Sequence, residues 1–133
     1  MPEKQLPPRV VFWPEPAYAG FPSPANDYIE PDLNLHDLIV QHPLTTYFIK
    51  VSGDSMSGAC ICSGDVVVVD RALTVSHNKI VVVRVEEHLF IKRVKMRQRK
   101  IYLYPDPPGD LVIQLRKSDD IFGVVTHCIH RLP

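Results

Sequence analysis

Over the last two thirds of the chain, short runs rich in β-branched and aromatic residues, several alternating apolar with polar, are each closed by a cluster of turn formers. The runs fall at 46–51, 65–70, 79–85, 89–96, 100–104, 112–115 and 121–127, and that pattern predicts strands. Between them stand Gly53-Asp54, Ser63-Gly64-Asp65, His77-Asn78, Pro105-Asp106-Pro107-Pro108-Gly109 and Ser118-Asp119-Asp120, residue types that bend a backbone. Seven strands at this spacing predict a mainly β fold, a curled and partly closed antiparallel sheet. One stretch has a different period: Leu35, Leu38 and Ile39 stand at i, i+3, i+4 behind an acidic start, which predicts one short helix over 33–41. The longest apolar runs, 66–69 and 80–83, suit strands and fall far short of the roughly 18–20 residues that cross a bilayer.

Proline separates the first third of the chain from the rest. Nine of the thirteen prolines lie within residues 1–43, and a residue with fixed φ and no backbone donor favours extended, turn-rich chain over helix. This region therefore reads as an arm. Val10, Val11, Phe12, Trp13 and Tyr18 give it apolar side chains able to dock, unlike a tail that only solvates.

Composition narrows the function classes. A chain of 133 residues holds one core, and fifteen cations against fifteen anions give no electrostatic case for binding nucleic acid or membranes. Residues 1–8 contain no apolar core of a signal peptide, so a cytoplasmic protein is expected. Cys60, Cys62 and Cys128 fit no common disulfide framework. Cys60-Ile61-Cys62, with His127 or His130, could begin a metal site, but the pair encloses one residue where metal-binding pairs enclose two to four. Reduced thiols packed as small apolar groups are the expectation, with no metal and no cofactor.

Candidate chemistry lies in two places. Ser55 ends the run Ile49-Lys50-Val51-Ser52-Gly53-Asp54 in a small-residue turn that presents one hydroxyl. In the strand 89–96, period two places Phe90, Lys92, Val94 and Met96 on one face and Ile91, Arg93 and Lys95 on the other. The first face is apolar except for Lys92. Burying it would desolvate one ammonium and favour the neutral amine, which can accept a proton as a general base. Serine needs such a base to become a nucleophile.

Ser52-Gly53-Asp54-Ser55-Met56, the stretch Ile61-Cys62-Ser63-Gly64-Asp65-Val66-Val67-Val68-Val69-Asp70 and Phe90-Ile91-Lys92-Arg93 together closely resemble the LexA/UmuD family of self-cleaving Ser/Lys proteins, of S24 type. Gly20-Phe21-Pro22-Ser23-Pro24-Ala25-Asn26-Asp27-Tyr28 and Ile121-Phe122-Gly123-Val124-Val125-Thr126-His127 resemble its UmuD-like branch, and the resemblance runs from about Gly20 to the end. It implies a cleavable arm, residues 1–19, before a LexA C-terminal-like β domain, residues 20–133. It implies Ser55 as nucleophile, Lys92 as base and Ala19-Gly20 as the bond cut, a dipeptide small enough for a narrow cleft and free to kink at glycine. Amides of the 53–56 turn, Ser55 among them, would receive the oxyanion. The resemblance further implies a homodimer and activation by a RecA filament on single-stranded DNA. The trimmed form would be an accessory subunit of a Y-family error-prone translesion polymerase, UmuC-like, in the SOS response. Residues 57–60 depart from the family pattern in being less acidic, which places the difference at the cleft edge.

Three other readings use the same residues. A signal-peptidase-like Ser/Lys protease needs a membrane anchor. A repressor fragment needs a DNA-binding domain, and nineteen residues ahead of the scissile bond cannot hold a helix-turn-helix. A binding module with a silent dyad would dock on the polymerase without cutting.

Overall fold

In a computed structural model, which describes residues 14–22, 34–109, 112–116 and 120–133, the strands nearest the middle of the sheet include those whose sequence fails to alternate. These are β2 (Val66–Asp70) and β3 (Ile80–Val85), and the chain's last strand, β7 (Asp120–Ile129), is inserted between them. Beyond β2 lies β1 (Thr46–Lys50); beyond β3 lie β4 (His88–Arg97), β5 (Lys100–Tyr104) and β6 (Ile113–Gln114). All pairings are antiparallel. The seven strands form one sheet in the order β1-β2-β7-β3-β4-β5-β6, which is open and has β1 and β6 at its edges.

Burial on both faces explains the unbroken valine runs. Val67, Val69 and Val82 share one core cluster with Val51, Met56 and Ile61, while Val81 and Val83 share another with Val94, Leu103 and Val124. Successive residues of a strand point to opposite faces, so each run must be apolar throughout. The mainly β fold expected from the sequence is present, with each of its seven strands.

The helix is α1 (Leu35–Ile39), inside the expected 33–41 but shorter. Asn34 caps it by accepting the Asp37 N–H at 2.7 Å. Leu35 and Leu38 are exposed, so its helical spacing does not mark a buried stripe. By internal contacts the chain divides into two units, Met1–Leu38 and Ile39–Pro133. In the first unit residues 14–22 are irregular with bends, and Phe21 is almost wholly exposed. The remainder of the expected arm, residues 1–13, lies outside the described residues, as do 23–33. Among the described residues no helix is long and apolar enough to cross a membrane.

Candidate active site

Two buried residues hold the turn that carries Ser55. Val51 and Met56 are 7% and 2% exposed and lie in the same core cluster, while Ser52, Gly53, Asp54 and Ser55 between them are exposed. Val51 is tied to the following turn through its own N–H to the Asp65 carbonyl at 2.8 Å and through the Gly64 N–H to its carbonyl at 2.9 Å. Gly53 donates its N–H to Ser63 Oγ at 3.1 Å. After Met56 the chain makes a 3-10 turn, Ser57–Ala59, and the Ala59 and Ile61 amides both return to the Met56 carbonyl. Met56 thus acts as a peg around which the loop is wound. Among the described residues the amides of Ser55 and Met56 and the Ser55 hydroxyl have no protein partner.

Lys92 comes from β4. Its strand is paired to β3 from His88 to Arg93, with Lys92 opposite Val81, but β5 joins its other side only from Arg93 to Arg97. The stretch Leu89 to Lys92 therefore keeps one backbone edge without a strand partner among the described pairings. That edge lines a cavity of about 180 Å³ together with Ile49, Lys50, Val51, the 52–53 turn, Ser55, Met56 and Val82. Ser55 and Lys92, distant in sequence, line the same cavity. Lys92 is half-buried and makes no ion pair among the described residues.

The face of β4 differs from its sequence-based picture. Val94 is fully buried, but Phe90 and Met96 are 42% and 38% exposed, so only the centre of that face is covered. On the opposite face Ile91 packs against the core cluster of Val51 and Met56. Residues 57–60 do not line the cavity. Gly58 instead packs on the segment around Asp106: a Cβ there would collide with Asp106 Oδ1 and fall 2.7 Å from the Pro107 nitrogen.

Arg93 and Asp106 are the pair that sequence reasoning missed. The Asp106 N–H donates to the Ser55 carbonyl at 2.9 Å, and its carbonyl accepts from the Gly58 N–H at 2.7 Å. Its carboxylate Oδ2 accepts from Arg93 Nε at 3.1 Å and Nη2 at 2.8 Å. A third guanidinium nitrogen, Nη1, donates to the Asn78 carbonyl at 2.7 Å. Arg93 adjoins Lys92 in the chain, so this bridge ties the lysine's strand to the serine's turn. Adjacency to Lys92 was the only signal in the sequence; Asp106 read as a turn former.

Ala19 and Gly20 are exposed, in the bend at residues 19–21 of the first unit. A Cβ on Gly20 would meet nothing within 4 Å. The sequence-based metal set separates: Cys60 is exposed at the end of the 3-10 turn, and His127 hydrogen-bonds Thr126, whereas Cys62 lies with Asp65 and His130.

The sequence profile of the Peptidase S24-like family matches residues 12–126. The protein MucA of Salmonella typhimurium is 42% identical over 126 residues, covering 93% of this chain and 86% of that protein. The protein ImpA of Shigella flexneri is 39% identical over 113 residues, 85% of this chain and 78% of its own length. The LexA repressor of Cellvibrio japonicus is 34% identical over 108 residues, 80% of this chain but 54% of the repressor.

Proposed function

Because the chain belongs to the Peptidase S24-like family, we propose that it is a serine peptidase that cuts its own Ala19-Gly20 bond once, with Ser55 as nucleophile and Lys92 as general base. The observation that carries this reading is the shared cavity, which brings the Ser55 hydroxyl and the half-buried Lys92, neither with a partner among the described residues, beside Val51, Met56 and Val82, while the other lysine of the lining, Lys50, is exposed. In the neutral form the Lys92 amine takes the Ser55 proton as Oγ attacks the Ala19 carbonyl carbon. The partner-free amides of Ser55 and Met56 suit the oxyanion that develops there. Lys92 then returns the proton to the departing Gly20 nitrogen, and water hydrolyses the Ala19 ester on Ser55. The unpaired edge of β4 suits an extended substrate, which can add to it as a strand.

The wider role rests on the similarity to MucA and ImpA over most of each chain. In this reading the protein is a homodimeric SOS-response mutagenesis factor. A RecA filament on single-stranded DNA stimulates cleavage by favouring the conformer with the arm in the cleft, a population shift that adds no catalytic group. The trimmed form, residues 20–133, then serves as accessory subunit to an error-prone translesion polymerase.

Intact-mass measurement during incubation at about pH 10, where an ordinary lysine begins to lose its proton, tests the chemistry. A product that begins at Gly20 is expected. An unchanged mass would leave a binding module with a silent dyad.

A further inference from the structure

A second group of chemically active side chains lies outside the cavity, where the end of β7 meets the start of β2. Cys62, Asp65 and His130 each present a ligand atom, and the three atoms lie within 4.8 Å of one another. Cys128 stands beside this group rather than among its mutually close atoms, its Sγ 3.4 Å from Asp65 Oδ2, and is the nearest candidate for a fourth donor. We propose that Cys62, Asp65, Cys128 and His130 bind a borderline-soft divalent cation, zinc above all. This inference stands apart from the proposed cleavage chemistry and uses none of its residues.

Donor type and geometry support it together. Thiolate, imidazole and carboxylate are the set zinc selects, and hard cations such as magnesium prefer oxygen alone. Bonds of about 2.0–2.3 Å in a tetrahedron place ligand atoms roughly 3.3–3.8 Å apart. The Cys128 Sγ to Asp65 Oδ2 distance falls in that range, while His130 Nδ1, hydrogen-bonded at 2.6 Å to the other carboxylate oxygen, Oδ1, has to exchange that bond for one to the ion. The Cys62, Asp65 and His130 ligand atoms, within 4.8 Å of one another, reach that range by side-chain adjustment of at most about 1.5 Å.

The backbone holds the four residues in place without any ion. Val66 pairs with Ile129 and Val67 with Cys128, so β2 and β7 bring Asp65 beside the 128–130 segment. The Asp65 N–H donates to the Cys62 carbonyl at 3.0 Å, and the Cys62 N–H donates to Asp65 Oδ2 at 2.9 Å. That second bond orients the carboxylate, as the outer partners of metal ligands do. Asp65 is 4% exposed while the His130 side chain is 45% exposed, which gives an ion a buried anchor and an open way in. A bound cation would staple the 62–65 turn to the last strand, and through the Asp65 to Val51 backbone bond it would stiffen the start of the Ser55 loop.

Cobalt(II) titration of the reduced full-length protein reads this directly, since thiolate ligation gives a sulfur-to-cobalt charge-transfer band in the near ultraviolet. One cobalt per chain with that band, displaced by zinc, is expected, together with a rise in melting temperature on adding zinc. Cys62→Ser and Cys128→Ser should each weaken the band and the affinity, and His130→Ala should weaken affinity by at least about tenfold, the cost of losing even an outer partner of a ligand. His127→Ala should change neither. Absence of the band in the wild-type protein overturns the proposal, as does a band intensity and cobalt affinity unchanged from wild type in both Cys62→Ser and His130→Ala, two positions outside the buried core.

Discussion

Ser55 is exposed because its neighbours are not: Val51 and Met56 are pinned in the core, and the four residues between them span the gap at the surface. The hydroxyl's position therefore depends on the bonds made by its own backbone, and its carbonyl is held by Asp106, itself clamped by Arg93. Ser55→Ala is expected to stay folded and uncut, and Lys92→Arg likewise, because guanidinium remains charged and accepts no proton. Arg93→Ala is the more informative change. It should lower the rate of self-cleavage and cost about 1–2 kcal/mol of stability, the range for a charge-assisted bond at a partly buried site. Arg93→Lys should recover charge but not the two-pronged grip on Asp106. Cleavage of Arg93→Ala at the wild-type rate would show that the bridge does not position the serine. The thiols differ in the same local way: burial, and then the Asp65 carboxylate, push Cys128 up to about 11, while Cys60 is exposed. Iodoacetamide in the presence of a chelator should modify Cys60 first and Cys128 last, read by peptide mass.

Two hairpins show what local sequence can and cannot announce. β3 joins β4 through Glu86-Glu87, and β4 joins β5 through Gln98-Arg99; the φ values are 49° and 69° in the first turn, 49° and 66° in the second. Two consecutive left-handed residues make the type I′ turn that matches strand twist, and Asn-Gly is its preferred sequence. Side chains with a Cβ are strained there by roughly 1 kcal/mol each. Replacing Gln98-Arg99 by Asn-Gly should therefore raise stability by about 1–2 kcal/mol in a urea melt, with cleavage unchanged because neither residue lines the cavity. These turns were illegible in the sequence, since Glu-Glu and Gln-Arg advertise no bend. The strands around them were legible nonetheless, because runs of β-branched and aromatic residues favour strands whichever face is finally covered, and burial on both faces writes itself into unbroken valine at 66–69. What alternation cannot convey is a long-range meeting of polar groups. Arg93 read as a solvated cation and Asp106 as a turn former. Sequence proximity pairs Cys62 with Cys60, whereas its spatial neighbours are Asp65 and His130. Ser55 and Lys92 were joined only by family resemblance, and the cavity adds the spatial link.

Across the whole Ile39–Pro133 unit, the two ends of β2 are fastened by the two buried carboxylates, each 4% exposed. Asp65 ties β2 to the chain's last strand through His130 and Cys128. Asp70 ties it to the segment before β1, through His42 and through Thr45 Oγ1 at 2.8 Å. Both carboxyls titrate below the ordinary 3.8. For Asp65 the leading cause is the Cys62 N–H, followed by His130, and these outweigh the cost of burial. For Asp70 burial is the largest influence and acts upward, but His42, the Ala72 N–H and Thr45 together exceed it. Since each folded value lies below the unfolded one, the unfolded chain binds more protons in that window. The stabilisation is complete above the unfolded value and drains away as pH falls through the folded one. In chelator, the urea midpoint should accordingly hold between about pH 7 and 5 and drop steeply below about pH 4. The double substitution Asp65→Asn with Asp70→Asn should be less stable at neutral pH yet show a shallower acid limb, because neither site can then take up a proton. An acid limb as steep in that variant as in the wild type would place the acid sensitivity in other carboxylates and remove these two as the fasteners of the sheet.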